Sequence, residues 1–287
     1  MRVSYLALVV GVLWGTAYPI TAIELRGYSA YEIALVRAIL AAPTIAVLSG
    51  VSLGSILLKR KHFKEILLLS LLGMVTFSVM LNFGIEFSSS NETSFVIATY
   101  PLFTAVIARV LLREPLNKSK IIGLMIGLFG AFLIFNEGMQ AASGHVFGEV
   151  AALCASLSNS LYLVLSRKLM VDTKADPSYL AFSSFIFSVP VLFVLSFPLH
   201  VSASAMKPDS ILGLVWLGCV CSAIAYLLLN RALLHAPAAT VTSSLMISPL
   251  VTVLATFILL AQLPTITQVT GSVLVIVGVA VAQIHSQ

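Results

Sequence analysis

The sequence predicts an all-α membrane protein, with ten transmembrane helices arranged as two inverted five-helix repeats. Three observations lead there. The 287 residues are 59% hydrophobic and only 9% charged, with a mean hydropathy of +1.06, more apolar surface than a soluble domain of this length buries. The positive charges gather in short links on one side of the apolar runs. Residues 82–134 recur in 230–282, a shift of 148 positions.

Ten runs have the length to cross about 30 Å of hydrocarbon. They are 3–23, 30–49, 64–86, 92–112, 119–136, 147–169, 178–199, 210–233, 238–260 and 266–284. The first has the position of a secretory leader. Trp14, Thr16 and Tyr18, and the lack of a small-residue cleavage site, make it a retained helix instead. The second carries Arg37, the most deeply set charge. The strip Lys59-Arg60-Lys61-His62 before the third is a topology signal. The fourth and ninth carry Pro101 and Pro249 near their centres, so a kink is expected that frees the carbonyls of Ile97 and Leu245. The fifth has Gly123 and Gly127, and the first Gly11 and Gly15, a spacing that lets helices approach closely. The sixth holds Asn159 and Tyr162, the eighth Tyr226 and Asn230. Cys154, Cys219 and Cys221 all lie in apolar runs and read as small buried hydrophobes. The links are short and leave no room for a soluble domain.

The repeat superposes Asn82 on Asn230, Pro101 on Pro249, Thr104 on Thr252, Gly123 on Gly271 and Gly130 on Gly278. Where the first copy has Arg113, Lys118 and Lys120, the second has Ala261, Ile266 and Gln268. With the N-terminus inside, thirteen Lys and Arg face the cytoplasm, and only Arg26 and Lys207 face out. That bias places both termini in the cytoplasm. Five spans per unit then turn the second unit, 147–284, upside down relative to the first, 1–136.

A resemblance covers the whole chain. Trp14-Gly15-Thr16, Arg37, Tyr100-Pro101-Leu102, Arg113-Glu114-Pro115-Leu116, Gly123 and Gly130 come in an order that resembles the EamA-type members of the drug/metabolite transporter superfamily. Pro249-Leu250 and Gly271 to Gly278 repeat part of it. The chain departs at Gln262-Leu263-Pro264, where the family often has an acidic residue. The resemblance implies a multi-pass protein of the cell (inner) membrane that exports small metabolites or drugs by alternating access.

The residues themselves exclude several classes. There is no HExxH, GxSxG, P-loop or Gly-rich dinucleotide fingerprint. Without a phosphate-binding loop, gradient-driven exchange or facilitated diffusion is left. The expectation is gradient-driven export of small metabolites (amino acids or analogues) or drugs. Aromatics plus amides, with little buried charge, suit amino acids, their analogues or lipophilic amines equally. The alternatives are a membrane-embedded enzyme, or a channel or receptor without a transport cycle. The first needs a reactive cluster at one depth and a channel a ring of charge, and neither is visible. No cofactor, metal site or nucleic-acid partner is expected; the partners are the lipid bilayer and a small-molecule substrate, with the chain a monomer or homodimer. Candidate substrate-binding residues are the polar and aromatic side chains set within spans: Trp14, Tyr18, Arg37, Asn82, Tyr100, Asn159, Tyr162, Tyr226 and Asn230. Such groups in hydrocarbon need a partner or water. The competing role is a helix–helix hydrogen bond, worth about 0.6 kcal/mol on average. Glu86 and Glu92, at outer helix ends, read as solvated charges.

Overall fold

The computed structural model describes residues 2–51, 62–113, 118–140, 144–199 and 207–283. Their backbone forms ten helical rods. These are α1 (Arg2–Glu24), α2 (Ala30–Ser49), α3 (Phe63–Phe87), α4 (Ser90–Leu111) and α5 (Lys118–Gln140), then α6 (Gly144–Thr173), α7 (Pro177–Leu195), α8 (Pro208–His235), α9 (Ala238–Leu260) and α10 (Ile266–Gln283). Among the described residues, eight of them, all but α5 and α10, are long and apolar enough to cross a membrane. The strip Lys59-Arg60-Lys61 and the motif Glu114-Pro115-Leu116 lie outside the described residues.

Local chemistry sets the helix ends. Ser29 and Glu32 form a reciprocal capping box at the start of α2, and Gly50 closes its end with φ 70°. Asp176 accepts from the backbone N–H groups of Ser178 and Tyr179, with Pro177 in the first turn of α7. Arg167 donates through Nη1 to the Leu233 carbonyl at 2.6 Å and to the Ala236 carbonyl, capping the C-terminal end of α8.

Lipid takes the place of water around these rods, so large apolar side chains stand on the outside, among them Val47, Val110 and Ile258. Asn82, Asn159, Asn230 and Thr252 are fully buried between helices. Two close helix contacts depend on glycine. Gly11 and Gly15 let α1 lie against Ile247, Ser248 and Val251 of α9. Gly278 of α10 sits against Gly123 and Gly127 of α5, and Gly130 against the Gly271 carbonyl.

The rods are irregular at matching places. The backbone widens into π turns at Ser70–Thr76 in α3 and Trp216–Ile224 in α8; shifted by 148 residues, 70–76 falls on 218–224. The helix is interrupted at Ala98–Thr99 in α4, and tightens to a 3-10 turn at Leu245–Ile247 in α9. The expected proline kinks are therefore breaks. Pro101 and Pro249 each lie in the first turn of the helix that restarts, at Tyr100 and Ser248, where a missing N–H costs nothing. The carbonyl that the proline reading frees, Ile97 O, accepts from Ser156 Oγ of α6 at 3.3 Å. Pro101→Ala should then change stability by less than about 1 kcal/mol. Thermal unfolding in detergent measures it, and a much larger fall would mean that packing of the ring holds the break.

Candidate functional site

The two breaks border a cavity at the centre of the bundle. Its wall draws on α1, α2, α3, α4, α6 and α9, and in this state it leaves about 20 Å³ open, room for one or two water molecules. Five of the nine candidates line it: Trp14, Tyr18, Arg37, Tyr100 and Asn159. Three hold fixed positions. Trp14 Nε1 donates to the Cys221 carbonyl at 3.0 Å, and Tyr100 OH to the Thr242 carbonyl at 3.2 Å. Arg37 Nε donates to Ser222 Oγ at 3.1 Å, and Ser222 is itself anchored on the Leu217 carbonyl within the π turn of α8.

The other four candidates lie outside the lining. Tyr162, Tyr226 and Asn230 form a packed layer beside the cavity, on the side where α3 begins and α6 and α8 end. Tyr226 meets Trp14, Tyr162 and Phe185 with ring centroids 5.6, 5.6 and 5.3 Å apart. Tyr162 OH donates to Asn230 Oδ1 at 3.2 Å, and Tyr226 OH to the Gly73 carbonyl at 3.1 Å. Asn230 Nδ2 reaches the Pro177 carbonyl at 3.4 Å, where α7 begins. Asn82 Nδ2 does the same for α2, donating to the Ala30 carbonyl at 2.7 Å. The two amides thus tie equivalent helix starts in the two halves.

Other lining residues escaped the sequence reading. Phe77 stands 6.2 Å from Trp14 by ring centroids, and Leu81, Ser94, Met246 and Ser248 complete much of the wall. Ser248 could have been found from its place beside Pro249; the apolar ones carry no local signal. Glu92 also departs from expectation. It is buried, with Oε1 accepting from Gln268 Nε2 at 2.7 Å and Oε2 from Ser89 Oγ at 3.1 Å, and so joins α4 to α10. Glu149 is a further fully buried acid. Of the cysteines, Cys221 is buried, Cys219 partly so and Cys154 exposed on the helix surface. No group of three or more His, Cys, Asp or Glu among the described residues could hold a metal ion.

The EamA-like transporter family model matches the chain twice, over residues 1–136 and 146–283. A Bacillus subtilis protein named uncharacterized transporter YdfC is 27% identical over 271 residues, covering 93% of this chain and 86% of the relative. A Streptantibioticus cattleyicolor protein named probable terminal-alkyne amino-acid exporter is 28% identical over 274 residues, covering 93% of this chain and 89% of the relative. A solved crystal structure shares the fold with a TM-score of 0.73 over 98% of this chain and 96% of that one, at 18% identity. The family match spans both halves of the bundle, and with its apolar helices the chain is a multi-pass membrane protein of the EamA-like transporter family.

Proposed function

We propose that the chain is a gradient-driven secondary transporter, in which two inverted five-helix units, 1–136 and 147–284, export small metabolites by alternating access. The central cavity carries this reading, because it is walled by both units and bordered by the two helix breaks. Reciprocal contacts support the inverted relation. Gly123 and Gly130 superpose on Gly271 and Gly278 by sequence, yet Gly123 meets Gly278 and Gly130 meets Gly271. A two-fold axis produces that exchange of partners. The carbonyls of Gly73 and Cys221, also 148 positions apart, each accept from an aromatic side chain of the opposite unit.

In this reading α5 and α10 complete ten crossings, and both termini are cytoplasmic. The Tyr162–Tyr226–Asn230 layer then closes the cavity on the cytoplasmic side. Amino acids or their analogues are the favoured substrates, supported by the name of the Streptantibioticus relative. The test is counterflow in liposomes. A labelled amino acid should accumulate transiently against an unlabelled internal pool. Leak without accumulation would make the protein a channel, and no flux of any amino acid or amine would remove the reading. Orientation is checked with Asp209→Cys and Asp172→Cys, both at exposed positions, in a background without native cysteines. An impermeant maleimide should label the first from outside the cell and the second only after permeabilisation.

A further inference from the structure

The polar atoms of the cavity are unevenly satisfied. Trp14, Tyr100 and Ser94 give their donors to backbone carbonyls of the protein. Arg37 does not: beyond the Nε bond to Ser222, its Nη1 is buried with no acceptor, and the residue is 5% exposed. Snorkelling to the surface is therefore ruled out. So is pairing with the acids near it in sequence, because Glu32 is held in the α2 capping box and Glu24 accepts from Ser210. Arg37 makes no ion pair among the described residues. A guanidinium this deep in a bundle, without a counter-charge, is costly. Elsewhere in the lining, Asn159 is fully buried with neither Nδ2 nor Oδ1 partnered, and Ser248 Oγ is likewise open.

The two helix breaks also border the cavity, where the chain restarts at Tyr100 and Ser248. Among the described residues of the lining, Arg37 is the only Lys or Arg, which matches one negative charge rather than a phosphate dianion. Phe77, Leu81, Ile97 and Met246 supply an apolar wall.

We infer that the transported solute is a monocarboxylate with an apolar body, whose carboxylate is held by Arg37 and whose second hydrogen-bonding group, where present, meets Asn159. This rests on the transporter reading of the same cavity. Ser222 is a positioning residue that orients the guanidinium.

The test uses the full-length purified chain and matched solutes: 4-methylpentanoate, 3-phenylpropanoate and leucine, the amides of the three, and the amines 3-methylbutylamine and 2-phenylethylamine. Thermal stabilisation should follow the carboxylate, with the acids at least tenfold tighter than their amides. Arg37→Gln should bring acids down to the level of amides, and Arg37→Lys should restore part of the difference. If Arg37→Gln fails to fold, Ser222→Ala serves, and should shrink the acid-to-amide ratio several-fold. A merely structural role would lower the melting temperature and leave that ratio unchanged. Equal binding of acid and amide, preference for the amines, or no binding by any acid would each overturn the inference. Counterflow separates the two claims. Amine counterflow leaves the transporter standing without the carboxylate, and acid binding through Arg37 without counterflow leaves the carboxylate site without the transporter.

Discussion

Gly278→Leu should sharply lower the folded yield and the melting temperature of the chain. A Cβ at Gly278 would lie 2.5 Å from the Gly123 carbonyl oxygen and from the Gly127 amide nitrogen, and 2.8 Å from the Gly127 Cα. All three are backbone atoms of α5, so no side chain can swing aside. Lipid tails are as apolar as the helices, and α5 and α10 gain nothing by hiding apolar surface from each other. Close packing has to hold them, and it depends on the short approach. Overpacking of a well-filled site costs about 1–3 kcal/mol, and a clash between two rigid backbones belongs at or above the top of that range. Folded yield on size exclusion and the melting temperature are the readouts. Val277→Leu, one position away on an exposed surface, is the control and should behave as wild type. Wild-type stability of Gly278→Leu would mean that the two helices part freely and that the glycine contact is incidental.

Asn230→Leu should lower stability and transport together. The substitution leaves Tyr162 OH without its acceptor and the Pro177 carbonyl without its donor, in a layer where both Tyr162 and Asn230 are fully buried. A buried polar group left unsatisfied costs about 1–3 kcal/mol. Part of that loss is shared with Tyr162→Phe, so the double variant should be more stable than the sum of the single losses predicts. A melting temperature equal to wild type, with transport lost, would instead put Asn230 in contact with substrate. Asn82→Leu makes the parallel case at the Ala30 carbonyl, with a smaller fall because only one of its amide atoms is engaged.

These outcomes bear on how much the sequence could say. Asn82 and Asn230 are recognisable as a repeat pair, and the structure uses them as a pair, each tying down the start of a helix. Their role as ties rather than cavity wall is not visible in the residues. An amide with its partner and an amide waiting for one are the same letter. Tyr162 and Tyr226 fail for the same reason: an aromatic ring within a span marks depth, and the neighbours that enclose it come from other helices. Arg37 is the converse. Its depth, seven positions past the start of α2, is plain in the sequence, while the absence of a counter-ion emerges only once Glu24 and Glu32 are seen occupied elsewhere.

The sequence by itself determined the class of the protein, the extent of its helices and its internal repeat. Hydrocarbon forces each crossing to satisfy nearly all of its backbone within its own helical rod, so length and hydropathy along the chain report it directly. Tertiary structure decided which face of each helix looks inward. In water, the buried face of a helix is marked by its apolar stripe. Here lipid and protein interior are both apolar, so Val47 on the outside and Ile45 in the core look alike along the chain. The cavity wall, the layer beside it and the helix breaks at Ala98–Thr99 and Leu245–Ile247 depend on that choice of face, and they exist only once ten rods are packed together.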